Sequence, residues 1–88
     1  LRVVASPKFL KAKRRAVKPL QLKLDEAVRI IAADLTIGTS KRGDLADVQV
    51  YKIKDGPQQY LVAYMVEDEQ LLLLAWGVHE NFYRDLKR

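Results

Sequence analysis

The sequence predicts an α+β domain with the element order β-α-α-β-β-β-α. This is a small, mainly antiparallel sheet with a helical hairpin on one face and a short C-terminal helix. Three observations predict it. Leu20, Leu24, Ala27, Val28 and Ile31 recur at +4, +7, +8 and +11, one stripe of a 3.6-period helix. Three strand-like runs follow, VQVYKIK (48–54), QYLVAYMV (59–66) and QLLLLAW (70–76), joined by connections too short for crossovers, so they form an antiparallel meander. The helical stripe needs a sheet to bury it.

The elements follow in order. RVVA (2–5) is a short β-type run that must join the sheet. Ser6-Pro7 reads as an N-cap with Pro at the first helical position. The first helix, 7–17, has Phe9, Leu10, Ala16 and Val17 as apolar members, and Pro19 stops or kinks it. The second helix covers 19–34. Residues 36–47 read as a loop, with two Gly, two Thr, a Ser and two Asp. Asp55-Gly56-Pro57 is a turn, and Glu67-Asp68-Glu69 is an acidic hairpin tip. QLLLLAW is apolar on both faces, as in a covered central strand. Gly77 ends it, and HENFYRDLKR forms the closing helix, with Phe82 and Leu86 as its core stripe.

The 88 residues make one domain, 1–88, with a modest core. There is no Cys and one His, which argues against a disulfide framework and a zinc or transition-metal site. The acids are scattered or at a hairpin tip, which disfavours a magnesium nuclease; no cofactor is expected. The longest apolar run falls far short of the ~20 residues of a membrane span. The start, LRVVASPKFLKAKRR, has no h-region, so a cytoplasmic address is expected.

The net charge is +5, and its distribution says more than its total. Residues 1–30 hold nine Lys and Arg against Asp25 and Glu26, whereas the rest of the chain is net acidic. Such asymmetry points to a polyanionic or acidic partner on one face, against the plainer reading of a solvated helical surface.

Alternation along the strands sorts the side chains. Val48, Val50, Lys52 and Lys54 share one face; Tyr51 and Ile53 turn to the helices. Tyr60, Val62, Tyr64 and Val66 are the expected core set. The opposite face, expected to be partly open, carries Lys52, Lys54, Leu61 and Met65, rimmed by Lys41 and Arg42. His79 and Tyr83, four apart, share one side of the closing helix. A Lys pair on an exposed strand can equally be a solubility device.

Over nearly the whole chain this pattern resembles the RelE/ParE superfamily of toxins from type II toxin–antitoxin modules. The helical hairpin, KRGDL (41–45), VYKIKDG (50–56), YLVAYMV (60–66), LLLLAWG (71–77) and a closing H-x-x-x-Y (79–83) fall in the family's order and spacing. The resemblance implies a ribosome-dependent mRNA endonuclease that drives a ribose 2′-hydroxyl onto the adjacent phosphate. In that site Lys52 and Lys54 match two basic residues, Tyr83 the tyrosine that orients or stacks on substrate, and His79 a position where His or Arg protonates the leaving oxygen. Relatives of this type carry an Arg where this chain has Leu61, and Arg42 or Arg84 could compensate. The implied partners are the ribosome and mRNA and an acidic antitoxin. Lys11, Lys13, Arg14, Arg15 and Lys18 would grip ribosomal RNA through phosphate contacts, and Leu61 and Met65 would contact the antitoxin. ParE-type relatives lack the nuclease set and poison DNA gyrase instead. A gyrase inhibitor and an attenuated RNA-binding homologue are therefore the alternatives.

Overall fold

The computed structural model describes residues 1–40 and 47–79. The elements are β1 (Arg2–Ala5), α1 (Pro7–Arg15), α2 (Lys18–Ala33), β2 (Thr39–Ser40), β3 (Gln49–Asp55), β4 (Gln58–Glu67) and β5 (Gln70–Val78). The sheet runs in the order β1-β5-β4-β3-β2. The first strand does join it, pairing in parallel with β5, while β3, β4 and β5 form the expected antiparallel meander. Two residues of the segment read as a loop form the short strand β2 on β3. The predicted closing helix, with Phe82 and Leu86, lies outside the described residues. No described helix is long and apolar enough to cross a membrane.

Local chemistry sets the element ends. Ser6 caps α1, accepting from the Phe9 N–H at 3.0 Å, with Pro7 behind it. The helix stops at Arg15, two residues short of the expected end. Gln21 Nε2 donates to the Lys13 and Ala16 carbonyls there and satisfies the helix terminus. Leu10 and Val17, expected in the core, are exposed: Phe9 alone buries the short helix, and Val17 is the N-cap of α2. In α2 the expected stripe is buried at Leu20, Leu24, Ala27 and Ile31. At the β3–β4 turn Gly56 has a φ of 62°, and Pro57 fixes the next residue at negative φ. That combination suits a type II′ hairpin turn.

Each sheet face has its own core. Phe9, Leu20, Leu24, Ala27 and Ile31 of the helices pack on Ile53, Val62, Tyr64, Leu71 and Leu73. Val48, Val50, Leu61, Ala63 and Ala75 form a second cluster on the other face, with Met65 and Leu74 against it. The expected alternation of β3 and β4 therefore holds, except that Val66 is exposed. The second face is closed at its centre rather than open: Leu61 and Ala63 are 0% exposed. Val48, Val50, Leu61, Ala63 and Ala75 are too apolar to leave in water, at ~25 cal/mol per Å² of apolar surface.

A bulge divides β5. Ala63 faces Ala75 and Tyr64 faces Leu73, so Leu74 is the extra residue. It shifts the parity of the strand: Leu71 and Leu73 face the helices before it, and Trp76 packs on the same side after it. The Ser6 hydroxyl donates to the Leu74 carbonyl at 2.6 Å, tying the cap of α1 to the bulge.

Candidate functional site

The pairing register brings three of the expected residues to one end of the sheet. Lys52 sits opposite Leu61, which sits opposite Gly77; Lys54 sits opposite Gln59. Directly paired residues share a face. Lys52 and Lys54 therefore project from the face of Leu61, beyond the rim of its buried cluster. The row Ile53–Tyr60–Val78 is the last across three strands, and His79 follows it as the chain leaves β5. Lys54 and His79 thus lie at the same end of the sheet. Their strands β3 and β5 are about 10 Å apart across β4.

The two lysines are exposed and make no ion pair among the described residues, unlike three other cations. Lys13 is bound to Asp25, Arg29 to Glu26, and Lys23 lies 3.5 Å from Asp55. Lys52 and Lys54 therefore present two uncompensated charges two residues apart. Two ammonium groups in that relation suit an anion such as a phosphodiester.

The remaining expected residues distribute differently. Lys11, Arg14, Arg15 and Lys18 are exposed, whereas Lys13 is half-buried against Asp25. All five belong to the helical layer, where α1 packs on β5 and α2 on β3, so they do not share the face of Lys52 and Lys54. Lys13, Arg14 and Arg15 also fill the last turn of α1, where cations complement the helix dipole. Lys41, Arg42, Tyr83 and Arg84 lie outside the described residues.

Leu61 requires a correction. Expected on an open face as an antitoxin contact, it is fully buried within the second apolar cluster. Met65, the other residue expected to contact the antitoxin, is partly exposed.

Sequence reasoning missed Lys23. It stands on the flank of α2 that meets the outer edge of β3, and its Nζ lies 3.5 Å from the Lys54 carbonyl. With Tyr51, Lys52, Lys54 and Glu26 it lines a groove of about 250 Å³. Its three-residue offset from Leu20 places it beside the buried stripe, but nothing local says which strand that flank meets.

The connection behind the site is pinned by a buried hydroxyl. Tyr64 accepts from the Gly38 N–H at 2.9 Å and lies 3.0 Å from the Leu35 carbonyl and 3.1 Å from Gln49 Oε1. Burial pushes its phenol up from the ordinary value; the Gly38 hydrogen bond opposes this and the Asp34 charge adds to it. Gly38 must stay without a side chain, because a Cβ there would stand 2.6 Å from the Tyr64 hydroxyl.

Comparison with known proteins agrees with this architecture. A model of the ParE-like toxin of type II bacterial toxin–antitoxin systems matches residues 3–87. A search of curated proteins gave no match. Among solved structures, a mutant of the E. coli toxin RelE in its free state is similar with a TM-score of 0.74 at 16% identity, covering 97% of this chain and 87% of that one. The intact E. coli RelBE toxin–antitoxin complex gives 0.71 at 18% identity, covering 86% of this chain and 93% of that one. A conserved hypothetical protein from Helicobacter pylori gives 0.57 at 21% identity, with 91% and 96% covered. At such identities the structural likeness establishes the fold. The match along residues 3–87 goes further: the chain belongs to the ParE-like toxins of type II toxin–antitoxin systems, within the RelE/ParE superfamily.

Proposed function

We propose that this toxin is a ribosome-dependent mRNA endonuclease that stops translation. One observation carries the reading. Lys52 and Lys54 project together, exposed and without an ion pair among the described residues, at the end of the sheet where β5 gives way to His79. Two lysines side by side offer a base and a cation within reach of one phosphodiester. In this reading one lysine takes the proton of a ribose 2′-hydroxyl, and the 2′-oxygen attacks the adjacent phosphorus. The second ammonium holds the charge that builds on the non-bridging oxygens. His79 gives a proton to the departing 5′-oxygen as general acid. The products are a 2′,3′-cyclic phosphate and a 5′-hydroxyl. Tyr83 would stack on a base, a contact worth ~1–3 kcal/mol, with Arg84, Lys41 and Arg42 as further phosphate contacts.

The helical cations Lys11, Lys13, Arg14, Arg15 and Lys18 would hold ribosomal RNA on the other side of the molecule. The E. coli RelBE structure is a toxin bound to its antitoxin. An acidic antitoxin that folds on binding is the partner we assign to this chain.

A second reading has its own support. The matching family is ParE-like, and Leu61, where the resemblance places an Arg in nuclease relatives, is fully buried in an apolar cluster. In that reading the toxin binds DNA gyrase and cuts nothing. Expression of the chain alone separates the two. Rapid loss of translation with cleaved messages supports the nuclease; an SOS response with intact messages supports gyrase. Under the nuclease reading, Lys54→Ala and Tyr83→Ala each relieve growth arrest without unfolding the protein. Full arrest by both variants contradicts the site.

A further inference from the structure

We propose that Lys23 is a phosphate contact, and that a bound RNA strand passes from the Lys52–Lys54 face over the outer edge of β3 into the groove beside α2. The inference rests on the RNA reading above and adds a residue and a path to it.

The edge is open for such a path. β2 pairs with β3 only at Gln49 and Val50, so from Tyr51 onward no described strand flanks that side. Lys52 and Lys54 rise from the second face, yet both also line the groove on the helical side of the edge. Lys23 closes the groove from α2. Lys23 from the helical layer and Lys52 and Lys54 from the sheet thus line one cleft of about 250 Å³.

The charge balance favours an anion there. Glu26 faces the groove but is bound to Arg29. Asp55 is the carboxylate within reach of Lys23, at 3.5 Å, and both side chains are more than 40% exposed. An ion pair so open to water is worth about 0–1 kcal/mol, so a phosphate can take the ammonium from Asp55 at little cost. Lys23 also follows the first turns of α2, leading from Lys18 towards the sheet. It therefore links the cations of the helical layer to those of the sheet, which otherwise stand on opposite sides.

An uncleavable single-stranded oligoribonucleotide, 2′-O-methylated throughout, provides the test. Its affinity for the whole chain is measured between low and moderate salt for the wild type and for Lys23→Ala, Lys52→Ala and Lys54→Ala. Arg2→Ala, an exposed cation beside the acidic hairpin tip, is the charge-matched control. Circular dichroism checks that each variant is folded. The proposal expects Lys23→Ala to weaken binding about five- to tenfold at low salt and to lower the slope of log K against log[salt] by about 0.7, one single-strand phosphate contact. Arg2→Ala should leave the slope unchanged. If Lys52→Ala and Lys54→Ala reduce the slope and Lys23→Ala does not, the path over the edge is wrong and the RNA site stands. If none of the three reduces it, the RNA reading falls and the inference with it. If Lys23→Ala weakens binding of an extended poly-glutamate peptide but not of RNA, the groove is a peptide site and the proposal is overturned.

Discussion

Tyr64 shows how much one buried side chain holds together. Its hydroxyl has a single proton for two acceptors, Leu35 O and Gln49 Oε1, and receives one hydrogen bond from Gly38. Replacement by Phe leaves these groups short of a partner and should cost about 1–2 kcal/mol in thermal or urea unfolding. The pH dependence has a definite sign. Because the folded state raises the phenol above its ordinary 10.0, the unfolded chain ionises first, and the contribution of Tyr64 is present below that value and lost as pH climbs past it. Wild-type stability should therefore fall more steeply than that of Tyr64→Phe as pH climbs past 10.0. Leu61 makes the opposite point. Leu61→Arg would place an unpaired charge at a position with 0% exposure, costing about 3–5 kcal/mol. Leu61→Arg should lower the melting temperature sharply and yield no gain in cleavage; an active, stable Leu61→Arg would show that the second face opens. Alternation along β4 located this residue on the correct face. It could not report that Leu61 is fully buried, because burial depends on which neighbours pack around it.

At the scale of elements, the junction of α1 with β5 depends on Ser6. Its hydroxyl accepts from Phe9 N–H and donates to Leu74 O, serving as helix cap and bulge anchor at once. Ser6→Ala should cost about 1–2 kcal/mol, the upper range for a cap, and should speed hydrogen exchange in α1 before β3 or β4. The β4–β5 tip is strained instead: Asp68 and Glu69 hold φ of 51° and 61° without being glycine. Glu69→Gly should raise stability by about 0.5–1 kcal/mol, since a left-handed non-glycine residue costs ~1–2. The cap, the α2 stripe and the meander were legible because each is written within a few residues. The Leu74 bulge was not, because four leucines in a row give no parity, and neither was the pairing of Thr39–Ser40 with β3.

Along the strand direction two groups of charge stand at opposite ends, with Arg2 beside the acidic one and Asp55 and Glu26 beside the basic one. Lys23 and Lys54 gather near the β3–β4 turn. Asp47 precedes β3 at its other end, and Glu67, Asp68 and Glu69 form the β4–β5 tip at that end as well. Asp34 joins them through the Tyr64 connection, its carboxyl held below the ordinary range by the Thr36 hydroxyl and amide. This polarity would steer the lysine end towards a polyanion and leave the acidic end outward. The sequence showed a basic first third but not this axis, which arises when α2 brings Lys23 to the edge of β3. That Lys52, Lys54 and His79 lie at one end of the sheet was legible because strand alternation and strand order are local signals. Lys23 required the packing of a helix on a particular edge. The most direct measurement incubates the purified chain with ribosomes programmed by a defined message and maps breaks by primer extension. Alongside it runs Lys54→Ala, matched to the wild type in thermal unfolding. The account predicts cleavage by the wild type and a rate about 10²-fold lower or less for Lys54→Ala; an intact message with the wild type, or equal cleavage by the variant, would contradict it.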